Sequence, residues 1–248
     1  MAIGAWAMLS AMSDISPPPR SADRRWTPAE DGRGEPGSDR VKVRRDTKKR
    51  GRYDAEAVHA ILDATPFCHI AYVHDGHPIV IPTLQARIDD HVYLHASSGS
   101  RLGLSADTPW PISLSVTLID GLVMARSGFH HSINYRSVVV VGDAVLVTDR
   151  EEMLLALDTT VDHVAPGRAA ELRRPTEREL SATVVARLPL AEASVKTRTG
   201  PPNDEPEDMD LPVWAGVVPM TTTFGPPLPS PDLADDIPVS PSVRLLTG

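Results

Sequence analysis

The chain has 248 residues, a net charge of −8, a pI near 5.6 and one cysteine, Cys68. Overall acidity argues against a nucleic-acid groove, which needs clustered Lys and Arg, and a lone cysteine excludes an internal disulfide and a Cys-rich zinc site. No run reaches the ~18 apolar residues of a membrane-spanning helix, so the expectation is a cytoplasmic protein with no membrane and no nucleic-acid partner.

Charge divides the chain into three. Residues 1–52 hold 12 Lys/Arg against 7 Asp/Glu, and residues 203–248 hold 1 against 8. Residues 13–40 are rich in Pro, Gly, Ser and charge, and too little apolar surface is present there to offset ordering entropy. The expected organisation is a disordered leader over 1–40, a folded domain over 41–220, and a proline-rich acidic tail over 221–248.

In chain order, Asp54 caps a helix whose apolar positions Ala57, Val58, Ile61 and Leu62 repeat at about 3.6 residues. Short β-like runs follow, Phe67–Val73 and Pro78–Arg87, around the Asp75-Gly76 hairpin signal. Asp89-Asp90 turns into a strand at His91–His95. The small-residue loop Ala96-Ser97-Ser98-Gly99 then opens a short helix near Ser100–Ala106. Two further strands are expected at Ile112–Ile119 and Leu122–Ser127, and a long one at Tyr135–Val147. A helix at Glu151–Val161 precedes a Thr176/Glu179 capping box, then strands at Ala182–Leu188 and Ala191–Arg198. Beyond residue 202 only Val213–Val218 looks fit for a core. No regular βαβ alternation appears, which favours a barrel over a doubly wound sheet.

Three groups of residues carry possible chemistry. Gly32-Arg-Gly34-Glu-Pro-Gly37 matches the G-x-G-x-x-G dinucleotide pattern, but no strand precedes it and no helix follows, so the match is compositional. His95-Ala-Ser97-Ser-Gly-Ser100-Arg101 ends a strand with small residues, hydroxyls, amides and a guanidinium, a set that suits phosphate. An ordinary capped serine turn is the competing reading. Charge-assisted hydrogen bonds contribute roughly 1.5–3 kcal/mol each, and micromolar binding needs about −8 kcal/mol net. A phosphate grip therefore calls for a ring system buried beside it. The third group, Arg126-Ser-Gly-Phe-His130-His131-Ser-Ile-Asn-Tyr135-Arg136-Ser137, is dense enough for a cleft, and equally consistent with a self-satisfied polar turn. Cys68, inside an apolar run, reads as core.

With these residues in view, the chain resembles the flavin-nucleotide-binding, nitroimidazole-reductase-type branch of the pyridoxamine 5'-phosphate oxidase-like superfamily. The likeness rests on Cys68-His-Ile-Ala-Tyr-Val73, Pro78-Ile-Val-Ile-Pro-Thr83, Tyr93–Leu102, Asp120–Ser127, Lys196–Pro202 and Trp214–Pro219. Most specific is His130-His-Ser-Ile-Asn-Tyr-Arg-Ser137, in which Ile133 replaces an expected Met. The resemblance implies a mainly β fold, an FMN-binding split β-barrel with peripheral helices, that forms a homodimer with FMN at the interface. It implies that Ile81, Pro82 and Thr83 lie along the isoalloxazine, that His95, Ala96 and Ser97 follow the ribityl chain, and that Ser100 and Arg101 hold the phosphate. Tyr135, Arg136 and Ser137 would reach in from the neighbouring chain or close the pocket, with Lys196 and Arg198 adding positive charge. The implied activity is an FMN-dependent oxidoreductase acting on a small electron-poor substrate, with Arg136 stabilising charge and Tyr135 or His131 supplying a proton. The alternative is a sensor or carrier without turnover that holds a flavin, a deazaflavin or haem, with His95, His130 or His131 as haem ligand.

Overall fold

The computed structural model describes residues 32–43, 50–100, 103 and 109–247. Nine strands are present among them: β1 (Gly51–Arg52), β2 (Phe67–His74), β3 (His77–Ile88), β4 (His91–Ser97), β5 (Trp110–Met124), β6 (Ser132–Leu146), β7 (Thr183–Pro189), β8 (Ala193–Arg198) and β9 (Gly216–Pro219). Four helices accompany them: α1 (Ala55–Leu62), α2 (Arg150–Val164), α3 (Glu177–Ser181) and α4 (Pro241–Thr247). The sheet order is β1-β8-β6-β7-β4-β3-β2-β5-β9, and an added β5–β6 pairing closes six of these strands into a ring. Every pairing is antiparallel. This is the expected split barrel, with β1 and β8 extending one side and β9 the other.

Local chemistry sets most of these elements. The Asp54 carboxylate accepts from the amide of Ala57 at 2.9 Å and is gripped by Arg52 at 2.8 Å, which starts α1. Asp75 and Gly76 both take positive φ, 50° and 75°, which matches the twist of the β2–β3 hairpin. Asp149 caps α2 through the amide of Glu152, and the Thr176/Glu179 capping box forms as expected. Alternate residues then fill the interior: Cys68, Ile70 and Tyr72 on β2, Ile112, Leu114 and Val116 on β5, Val138 and Val140 on β6. Val139, between the last two, points outward. Ile70 and Leu114 face each other in register and are fully buried, so Leu114→Ala would cost about 2–5 kcal/mol.

Five sequence expectations change. Ile112–Ile119 and Leu122–Ser127 are one strand, β5, with a bulge at Asp120 between Ile119 and Gly121. Asp120-Gly121 reads as a turn locally, but a Cβ on Gly121 would meet the Val218 carbonyl at 2.9 Å, so the glycine serves close approach of β9. Val213–Val218 is no core segment, for β9 is an edge strand and Trp214 is 65% exposed. The disorder expected over 13–40 does not extend to residues 32–40, whereas residues 13–31 lie outside the described residues. Tyr53 donates its amide to the Arg33 carbonyl at 2.6 Å, Val43 donates to the Tyr53 hydroxyl at 2.8 Å, and Val41 is buried. The Gly32-x-Gly34-x-x-Gly37 match also has a physical cause beyond composition. A Cβ would stand 2.7 Å from the Asp54 amide nitrogen at Gly34, and 2.1 Å from the Ala191 carbonyl at Gly37. Finally, the tail has no helix or strand between Met220 and Ser240, but then forms α4.

Candidate functional site

A cleft of about 370 Å³ opens where β2, β3 and β4 meet the loop after β4. Its lining is Tyr72, Ile79, Ile81, Thr83, His95, Ala96, Ser97 and Ser100. Strand periodicity explains the selection: Ile79, Ile81 and Thr83 are spaced by two on β3 and share a face. Pro82 falls on the opposite face and does not line the cleft, so the expectation that Ile81, Pro82 and Thr83 act together is met by only two of the three. Tyr72 is buried and held edge-on by Trp110, ring centroids 5.4 Å apart. Three consecutive residues, His95, Ala96 and Ser97, contribute because the strand ends there.

Beyond Ser97 the chain folds back sharply. A Cβ on Gly103 would stand 2.4 Å from the Ser97 carbonyl, so this return requires glycine. Ser100 donates its hydroxyl to the Ser97 carbonyl at 2.7 Å and accepts from the Gly103 amide at 3.1 Å. The amides of Ser98 and Ser100 are also taken, by the carbonyls of Ala182 and Ser97. Much of the donor array expected to face an anion is thus spent on shaping the loop. The Ser97 and Thr83 hydroxyls make no hydrogen bond among the described residues. Arg101 and most of the short helix expected near Ser100–Ala106 lie outside them.

His95 is the unusual group in the cleft. Its Nδ1 is buried with no hydrogen-bond partner among the described residues. Burial pulls its pKa below the ordinary histidine value, so the imidazole is held neutral. Cys68, by contrast, is buried in β2 with its thiol pushed up to about 12 by desolvation, which makes it core and not a nucleophile.

The second group of expected site residues lies apart from the cleft. Tyr135, Arg136 and Ser137 sit on β6 opposite Arg198, Thr197 and Lys196 of β8, and neither they nor His131 line the cleft. Arg136 grips Asp120 with two bonds, at 3.0 and 2.7 Å, which holds that carboxyl below its usual range. Ser137 donates its hydroxyl to the Lys196 carbonyl at 3.2 Å. Arg198 is buried and donates to Asn134 Oδ1 and to the carbonyls of Gly200 at 3.1 Å and Pro201 at 3.0 Å. Desolvation lowers its pKa, with a further push from Arg50. Arg126 binds Asp204 through both its amide, at 3.0 Å, and its guanidinium, at 2.8 Å, and His130 faces Glu205 at 3.4 Å. His131 has its Nδ1 2.9 Å from the Ser127 carbonyl. Within one chain, Arg126, His130, Arg136 and Ser137 each meet a partner, although Arg126 Nε is buried without one among the described residues.

Sequence reasoning missed Tyr72, Ile79 and Gly103. The first two were legible as the next same-face neighbours of Ile70 and Ile81; Gly103 carried no local signal. Among the described residues no three His, Cys, Asp or Glu side chains gather as a metal site, and no helix is long and apolar enough to cross a membrane.

No curated protein sequence matches the chain significantly. Among solved structures, a flavocytochrome from Azotobacter vinelandii is 42% identical over 86% of this chain and 100% of its own, with a TM-score of 0.79. A protein from Mycobacterium smegmatis described as FAD and haem binding is 39% identical over 80% of this chain and 98% of its own, with a TM-score of 0.76. The sequence profile of a family described as pyridoxamine 5'-phosphate oxidase matches residues 54–197, more than half of the chain. This chain belongs to the pyridoxamine 5'-phosphate oxidase-like family.

Proposed function

We propose that the chain is a flavin-binding redox protein that seats a flavin nucleotide in the β2–β3–β4 cleft and reduces a small electron-poor acceptor, such as a nitroaromatic or quinone-like compound. One observation carries this reading: Ile81, Thr83, His95, Ala96, Ser97 and Ser100, singled out from sequence as flavin-contacting, converge on one cavity. The cavity also fits such a group chemically. Ile79, Ile81 and Tyr72 offer an apolar wall that excludes water from a ring system. Thr83 and Ser97 present to polar edges hydroxyls that make no hydrogen bond among the described residues. Ser100 would reach an anionic end by giving up its bond to the Ser97 carbonyl, with Arg101 beside it in sequence. Bound flavin supplies hydride and electron transfer; the protein supplies position and electrostatics.

The sequence pointed to FMN, and the FAD of the mycobacterial relative favours the larger nucleotide. Mass spectrometry of the released ligand distinguishes the two. Tyr135, Arg136, Ser137, His131 and Lys196 do not line the cleft of their own chain, so they serve catalysis only in a homodimer in which a second chain brings them to it. Arg198, committed to Asn134 and two carbonyls, is a structural residue in this reading. The split-barrel domain over 41–220 is the flavin-binding unit.

A second cofactor is favoured by a specific observation. The names of both relatives pair a flavin with haem, and His95 presents a neutral, unpartnered imidazole nitrogen, the form that ligates haem iron. Haem then accompanies the flavin instead of replacing it. Of the other two sequence-derived ligands, His130 is occupied by Glu205, whereas His131 Nε2 makes no hydrogen bond among the described residues.

The visible spectrum of the purified protein tests both statements. A two-band flavin spectrum with a Soret band is expected; flavin bands alone remove the haem, and a colourless protein that takes up neither FMN nor FAD removes the reading as a whole. Consumption of NAD(P)H with an added nitroaromatic then separates turnover from a carrier role.

A further inference from the structure

Met220–Ser240 runs without helix or strand between two anchored ends. At the first end β9 pairs with β5, and the Met220 amide donates to the Asp120 carbonyl at 3.0 Å. At the second end α4 is latched to the turn after α2. Ser242 is buried, donating its amide to Glu171 Oε1 at 3.0 Å and its hydroxyl to Glu171 Oε2 at 2.6 Å. Arg168 completes the latch, with Glu171 at 2.9 Å and the Ser240 hydroxyl at 3.0 Å.

A loose tail with exposed apolar residues would call for no explanation. This segment is tied at both ends and still turns its large apolar side chains to water: Phe224 is 63% exposed, Leu228 89% and Ile237 53%. Pro226, Pro227 and Pro229 fix φ around Phe224 and Leu228, which favours an extended, preorganised strip there and opposes collapse onto the barrel, and two turns, closed by Leu233 to Ser230 and Ile237 to Ala234, follow it. The same chain exposes a matching surface on adjacent strands. Phe67 and Val73 on β2 and Val80 on β3 are 68%, 67% and 64% exposed. The register pairs Ala71 with Val80 and Val73 with Pro78, and residues 67, 71 and 73 share one face of β2. Two unpartnered apolar surfaces on one chain satisfy each other twice over in a two-fold pair, because each copy supplies both halves.

We infer that residues 220–240 form an arm that lies on a second copy of this chain, with Phe224 and Leu228 covering the partner's exposed β2–β3 strip. The inference rests on the homodimer put forward above and gives the tail its role in it. No residue of the arm lines the cleft, so substitutions at Phe224 and Leu228 leave the flavin cavity of each chain in place.

Sedimentation velocity across a concentration series tests the arm on the full chain. Wild type is expected to dimerise, and the double variant Phe224→Asp with Leu228→Asp to raise the dissociation constant about a hundredfold, as for centrally buried interface anchors. Glu171→Gln, which weakens the latch without touching the arm, is expected to raise it less. Val73→Asp should weaken the dimer too, and its effect should not add to that of the arm variant if the two surfaces meet. A double variant that dimerises as tightly as wild type overturns the arm and leaves the homodimer standing. Full additivity with Val73→Asp overturns the receiving strip, and a wild-type chain that stays monomeric throughout overturns the arm and the homodimer together.

Discussion

In the cleft, the hydroxyls of Thr83 and Ser97 and the Nδ1 of His95 have no hydrogen-bond partner among the described residues. Along β6 and β8, apart from the cleft, Arg136 is closed by Asp120, Arg198 by Asn134 and two carbonyls, and Ser137 by the Lys196 carbonyl. Both regions are rich in the side chains that bind anions and move protons. Availability separates them. A side chain already satisfied holds the fold together, and one left open at the edge of a cavity is free to meet a ligand. Residue type alone does not distinguish the two, and the hydrogen-bond partners do.

The largest effect that would sharpen this contrast lies at Arg198. Arg198→Ala should destabilise the fold by about 3 kcal/mol, because it strips buried Asn134 and two carbonyls of their donor. Denaturant midpoints at unchanged slope would show it, and flavin affinity per folded molecule should stay as in wild type. A specific loss of flavin with full stability would move Arg198 to the cofactor side. The next effect belongs to the cleft. Ala96→Leu fills the cavity without burying a polar group, and should weaken flavin binding more than about tenfold while changing stability by less than about 1.5 kcal/mol. Fluorescence titration with FMN and FAD checks it.

These contrasts also mark what could be read from sequence. The barrel was legible because its signals are local: Asp75-Gly76 for a hairpin, Asp54 and Thr176 for caps, and alternation through Ile70, Leu114 and Val138. The bulged β5 was not, since Asp120-Gly121 looks like any turn until β9 lies against it. The serine loop was legible as to place but not as to donors, because the amides of Ser98 and Ser100 are claimed by carbonyls, one of them from Ala182 over 80 positions away. Arg136 and Arg198 could not be told from open cations in their two segments, since Asp120 on β5 claims the first from 16 positions away and Asn134 on β6 claims the second from 64. Local pattern specifies an element; long-range contact decides which of its side chains stays free.

His95 gives a smaller effect with a definite sign. Its pKa is lowered in the fold by burial, so the folded chain resists taking up its proton while the unfolded chain takes it up near pH ~6.5. The stability associated with a neutral His95 is therefore fully present above that value and is lost as pH falls through the unfolded value towards the lowered one. Melting temperatures of wild type and His95→Gln compared between pH 7.5 and 5 should diverge, with wild type losing more on the acid side. Parallel curves would mean that the ring gains its proton without penalty and is open to solvent.

The smallest effect bears most directly on the comparison. Arg136→Ala removes a half-exposed ion pair, and exposed pairs contribute under about 1 kcal/mol, so stability should barely move. Asp120, relieved of its partner, would return towards the ordinary carboxyl range, since the guanidinium is what holds it down. In one isolated chain nothing else should change, because Arg136 does not line the cleft. In a homodimer that brings β6 to the neighbouring cavity, turnover of an electron-poor acceptor should fall at unchanged flavin content. Substituting Asp120→Asn separates these cases. It frees Arg136 without deleting it, so a catalytic Arg136 tolerates the change, whereas a guanidinium whose whole task is to hold the β5 bulge would lose its purpose in both variants alike.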